Sequence, residues 1–77
     1  MAKIIIYSTP TCVYCKMAKA LFKEKGVEYT EKDVAMDMKA REEMVQKSGQ
    51  LGVPVIDIDG KVVVGFDKDG LTKLLNL

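Results

Sequence analysis

Cys12 and Cys15 are the only cysteines of the chain, and together with Val13 and Tyr14 they form a Cys-x-x-Cys motif. A thiolate attacks disulfides, and a second thiol close by can then attack the mixed disulfide and release the product. The chain has no histidine, which excludes Ser-His and Cys-His catalysis and any His-ligated metal. Activation of a sulfur must therefore come from backbone geometry and hydrogen bonding. The motif lies where an apolar run, Ile4-Ile5-Ile6-Tyr7, has given way to Ser8-Thr9-Pro10-Thr11 and helical spacing begins. A helix start offers unpaired N–H groups and about half a positive charge, both of which favour a thiolate. Cys12 is the cysteine nearest that end. Cys15 comes one turn deeper on nearly the same face, with Lys16 and Lys19 adding positive potential.

Other uses of such a pair stay open at this level. Cys-x-x-Cys is also half of a zinc site, which needs two further ligands from carboxylates or a second chain. An iron–sulfur or metal carrier would be a dimer of this kind, with glutathione as a further ligand source. The two cysteines would otherwise simply pack as small apolar residues. The strand–turn–helix placement favours redox chemistry. A second candidate feature is Gly52-Val53-Pro54, read either as a trans proline opening a strand or as a cis turn. The cis form would leave the backbone of Val53 free to pair with an extended substrate.

The elements that must position these residues follow from periodicity. Lys3 to Tyr7 reads as a strand buried on both faces. Val13, Tyr14, Met17, Ala18, Leu21 and Phe22 form a helical stripe that ends at Gly26. Val27 to Val34 is a more polar strand. Asp37 suits the N-cap of a second helix, closed by Gly49, with Ala40, Met44 and Val45 inward. Val53 to Ile58 and Lys61 to Gly65 form a hairpin around Asp59-Gly60. Asp69 is the expected N-cap of a last helix carrying Leu71, Leu74 and Leu75. The order is β-α-β-α-β-β-α, an α/β fold in which helices cover both faces of a four-stranded mixed sheet.

Size and charge narrow the function classes. The 77 residues form a single expected domain, 1–77, and a chain of this size buries only about 60% of its unfolded surface. Two cysteines do not make a disulfide scaffold. A formal net charge of +1 argues against nucleic-acid binding. No segment matches a signal peptide or a membrane span, so a reducing, cytoplasmic location without membrane association is expected. Met36, Met38 and Met44 read as core filler and partial surface rather than a soft-metal site. Asp57 and Asp59, two apart, could share one strand face as an acid/base pair, but beside the hairpin Asp59 reads as turn chemistry.

Three stretches resemble the glutaredoxin-like proteins of the thioredoxin superfamily: Tyr7 to Cys15, Gly52-Val53-Pro54-Val55-Ile56, and Val64-Gly65-Phe66-Asp67-Lys68-Asp69. The resemblance covers essentially the whole chain. It implies that Cys12 is the nucleophile and Cys15 the resolving thiol, that Tyr14 walls the site, and that Pro54 is cis. Thr11, Val53 and Asp69 join the implied substrate-binding residues. It further implies a sheet order of 2-1-3-4 and a monomer with no bound cofactor or metal. Its substrates would be disulfides of proteins or small thiols. Thr9 stands where many glutathione-using members carry Lys or Arg. Gly52 replaces their Thr, and Phe66 replaces the second of two glycines. Gly65-Phe66 followed by Asp67 resembles instead the glutaredoxin-like hydrogen donors of ribonucleotide reductase, which take electrons from thioredoxin reductase. Asp67-Lys68 departs from their Arg-Pro. Glutathione and thioredoxin reductase are thus both expected electron sources.

Overall fold

The computed structural model describes residues 3–50 and 52–75. Strand β1 (Ile4–Ser8) leads into helix α1 (Val13–Glu24), followed by β2 (Thr30–Asp33), α2 (Met38–Ser48), β3 (Val55–Ile58), β4 (Lys61–Val64) and α3 (Lys68–Leu75). The strands form one sheet in the order β2-β1-β3-β4. β1 runs parallel to β2, with Ile6 level with Glu31. β3 is antiparallel to both β1 and β4, with Tyr7 opposite Val55 and Val55 opposite Val64. The element order is the one expected from periodicity, and the sheet order is the one the resemblance implied.

Alternation along β1 divides the core between the two sheet faces. Ile4 and Ile6, with Ile56 and Ile58 of β3, pack against Ala18, Leu21 and Phe22 of α1 and Leu71 of α3. Tyr7 and Val55 lie on the other face with Val34 and with Ala40 and Met44 of α2. Burying side chains such as Phe22 and Ile56 fully is worth about 1.5–3 kcal/mol each. Among the described residues, no helix is long and apolar enough to cross a membrane.

Several boundaries differ from the periodicity reading. The second strand begins at Thr30, not Val27, because the preceding residues close α1. Gly26 has φ +68°, its N–H donates to the Lys23 carbonyl at 3.2 Å, and the Val27 N–H donates to the Phe22 carbonyl at 2.8 Å. Val27 and Tyr29 pack on the core from this loop. The third strand begins after Pro54. The fourth stops at Val64 because Gly65, at φ +81°, turns its N–H to the Pro54 carbonyl at 2.8 Å. Asp37 does cap α2, its Oδ1 accepting from the N–H groups of Lys39 and Ala40, and Gly49 closes that helix. Asp69, expected to cap α3, lies inside its first turn. Asp67 takes the capping position, its Oδ1 accepting from the Gly70 N–H at 3.1 Å. Both aspartates precede the same apolar stripe, so composition alone does not separate them.

Candidate active site

Cys12 is itself the N-cap of α1. Its backbone is extended, with φ −83° and ψ 116°, and its Sγ accepts a hydrogen bond from the Cys15 N–H at 3.1 Å. The Cys12 carbonyl already accepts from Lys16 N–H, as an N-cap carbonyl does. The turn before it is closed by the Cys12 N–H on the Thr9 carbonyl at 3.3 Å. The first turn of α1 contains no acidic residue, so no carboxylate competes for the helix end. A half-buried sulfur thus meets an oriented backbone donor at the positive end of the helix.

Cys15 is placed differently. It faces the sheet from the first turns of α1 with 0% exposure. Burial pushes its thiol up to about 12, and the hydrogen bond and charge of Cys12 push the same way. The Thr9 backbone and the Lys19 charge act against them. Both cysteines are free. The pair therefore consists of an accessible sulfur at a helix end and a buried one that holds its proton.

The other residues expected at the site fall into two groups. Tyr14 is 61% exposed and stands on the outer face of α1 with Val13 and Met17, an apolar surface beside Cys12. Thr11 is exposed in the turn before Cys12. The Val53–Pro54 bond is cis, as the resemblance implied. Val55, next in sequence, pairs with Tyr7 near the end of β1, so Val53 and Pro54 come to the sheet end from which the chain leads to Cys12. The bond from Gly65 to the Pro54 carbonyl ties the third motif to the second. Phe66 then turns onto the core and, with Met17, Ala20, Leu21, Glu24 and Lys68, lines a groove of about 240 Å³. Asp69 stands exposed in α3, and no side-chain hydrogen bond engages it among the described residues.

Asp57 and Asp59 do not form a pair. Asp59 Oδ1 accepts from the Lys3 N–H at 2.7 Å, and Asp57 Oδ2 accepts from Lys47 Nζ at 2.7 Å. Met44 is buried, whereas Met36 and Met38 are exposed. Among the described residues, no group of three or more Cys, Asp or Glu side chains is gathered to hold a metal. One cluster close to the motif was not read from the sequence. Ser8 donates to Glu31 Oε2 at 2.9 Å, and Lys19 Nζ donates to the same oxygen at 2.7 Å. Only the parallel pairing of β1 with β2 brings these three together.

Comparison with known proteins matches this arrangement. The family model described as Glutaredoxin matches residues 4–63. A glutaredoxin-like 8.6 kDa protein from a rubredoxin operon of Clostridium pasteurianum, itself uncharacterized, is 53% identical, covering 94% of this chain and 96% of that one. Glutaredoxin 3 of Escherichia coli is 43% identical over 87% of this chain and 81% of its own. Among solved structures, the glutaredoxin of Archaeoglobus fulgidus superposes with a TM-score of 0.89 at 27% identity, covering 100% of this chain and 89% of that one. Fold, motif order and similarity over most of the length agree, and the chain belongs to the glutaredoxin family.

Proposed function

We propose that this protein is a dithiol reductant of disulfides in proteins or small thiols, with Cys12 as nucleophile and Cys15 as resolving thiol. The observation that carries this reading is the 3.1 Å hydrogen bond from the Cys15 N–H to Cys12 Sγ at the start of α1, with the Cys15 side chain buried behind it. The Cys12 thiolate attacks one sulfur of the substrate disulfide, and the displaced thiolate takes up a proton. In the resulting mixed disulfide Cys12 carries no charge, so two of the influences that hold the proton on Cys15 are gone. Cys15 then loses that proton and attacks Cys12 Sγ. The bond between Cys12 and the substrate breaks as the Cys12–Cys15 bond forms, and two electrons pass to the substrate.

Tyr14, Thr11 and the backbone of Val53 beside Pro54 receive the substrate in this reading, with Asp69 at its edge. The protein works without a bound cofactor in a reducing compartment such as the cytoplasm. Glutathione or thioredoxin reductase returns the electrons, and ribonucleotide reductase is a candidate acceptor. Thr9 offers no charge to a glutathione carboxylate, and Phe66 occupies the turn that the resemblance associates with its γ-glutamyl end.

The test has two parts. Insulin reduction driven by dithiothreitol is abolished by Cys12→Ser, while Cys15→Ser accumulates mixed disulfides detectable by mass. Oxidised protein is then offered either glutathione with glutathione reductase or thioredoxin reductase with NADPH, and NADPH consumption identifies the reductant. Wild-type insulin reduction by Cys12→Ser overturns the assignment.

A further inference from the structure

The cluster beneath α1 bears on the second chemical step. Ser8 shares the α1-facing side of β1 with Ile6, and Glu31 on β2 is level with Ile6 in the parallel register. Ser8 is 1% exposed, and its hydroxyl anchors Glu31, which in turn anchors the Lys19 ammonium. Lys19 follows Cys15 by four residues, so their side chains are neighbours on the helix, with β-carbons about 5–6 Å apart. A long side chain that would otherwise sweep through solvent is thus held at the helix face that carries the buried thiol.

The electrostatics agree with that placement. The hydrogen bond with Glu31 holds the Lys19 ammonium above the usual lysine range, and the charges of Glu31, Tyr29 and Cys15 add to it. The bond with Lys19 holds Glu31 below the usual carboxylate range, and Ser8 and the charges of Lys19 and Lys23 act the same way. The groups that bear on Cys15 are Cys12 and Lys19 on α1 and the Thr9 backbone after β1. Once Cys12 is in a mixed disulfide, the Thr9 backbone and the Lys19 charge are the influences left to offset the burial of the Cys15 thiolate.

We propose that Lys19 is a positioning residue for the resolving step, fixed by Glu31 and Ser8 so that the Cys15 thiolate forms against a positive charge. This rests on the reading of Cys15 as the resolving thiol. The step balances with water as the proton carrier. Cys15 gives its proton to solvent as its thiolate forms, the Cys15–Cys12 bond then replaces the bond between Cys12 and the substrate, and the departing thiolate takes a proton from solvent where its basicity calls for one.

Stopped-flow mixing of reduced protein with excess dithiobis(nitrobenzoate) separates the steps, since attack by Cys12 releases a first thionitrobenzoate and closure by Cys15 a second. In Lys19→Met the second phase is expected to slow about tenfold at pH 7, with its pH profile displaced to higher pH, as for loss of one nearby opposite charge. Lys19→Arg restores both rate and profile. Glu31→Gln, which keeps the lysine but loosens it, gives a smaller slowing that increases with salt. A second phase in Lys19→Met with the rate and pH profile of wild type overturns the proposal alone. So does a Lys19→Arg chain as slow as Lys19→Met. A wild-type chain that releases no second equivalent overturns the dithiol reading and this proposal with it.

Discussion

At Cys12 a sulfur performs the task that an oxygen usually performs at the start of a helix. Serine, threonine, aspartate and asparagine lead at N-caps because their side-chain oxygen accepts an N–H that has no partner inside the helix. Here Cys12 Sγ accepts from the Cys15 N–H, so the proposed nucleophile and the capping atom are the same. Catalysis and stability are therefore coupled at one residue, and two substitutions separate them. Cys12→Ser keeps a capping atom and loses the nucleophile, whereas Cys12→Ala loses both. Both variants are expected to be inactive. Urea unfolding should place Cys12→Ser within a few tenths of a kcal/mol of wild type, and Cys12→Ala about 1 kcal/mol below it. A melting temperature for Cys12→Ala lower by roughly 4–8 °C is the corresponding thermal reading. Equal stability of the two variants would show that the sulfur contributes nothing to the cap.

Across elements, the joint between α2 and the sheet is polar as well as apolar. Lys47 Nζ, from the last turn of α2, donates to Asp57 Oδ2 on β3 and to the Tyr7 hydroxyl at 2.9 Å, and that hydroxyl donates to Glu43 at 3.0 Å. Asp57 is largely buried. Its bond with Lys47 holds its carboxyl below the usual range, and the same bond, with Tyr7 assisting, holds Lys47 above its own. A depressed carboxylate contributes stability that is present above the unfolded value near 3.8 and is lost as pH falls through the folded one. A raised ammonium contributes stability that is complete below about 10.5 and is lost as pH rises through its folded value. Asp57→Asn should therefore cost about 2 kcal/mol between pH 5 and 9, between the values for exposed and fully buried pairs. The difference from wild type should shrink as the pH drops below 4, as urea unfolding across pH will show.

These elements also show what was legible in advance. Asp37 and Gly49 delimit α2 as read, because caps use local chemistry. The Cys12-to-Cys15 motif could be placed because a strand, a turn and a helical stripe adjoin in sequence. The start of β2 departs from the periodicity because Val27 and Tyr29 look like strand residues but pack from a loop. Asp67 takes the capping role expected of Asp69, because both sit within one turn of the helix start. Ser8, Glu31 and Lys19 belong to three elements that only the folded crossover brings together, so no local pattern announces them.

For the whole molecule, the two edges of the sheet are unequally protected. β2 reads Thr30-Glu31-Lys32-Asp33, a charged edge, whereas β4 reads Lys61-Val62-Val63-Val64, with Val64 47% exposed. Edge strands that are apolar and lack charge invite pairing with another chain. The Cα radius of gyration, 11.3 Å, matches the value of about 11.5 Å expected for a compact domain of this length. The β4 edge thus becomes a liability chiefly when the fold loosens. Charge repulsion offers little protection, because the isoelectric point is near 7.7 and self-association is favoured where net charge vanishes. With no histidine to titrate, net charge changes by only about one unit between pH 6 and 7.7, so light scattering during heating should show similar aggregation at both. Val64→Lys is expected to delay aggregation at pH 6 and at pH 7.7, while Thr30→Lys, which adds the same charge at the other edge, delays it less at both. Equal delay in the two variants would assign the effect to net charge and remove the edge from the argument.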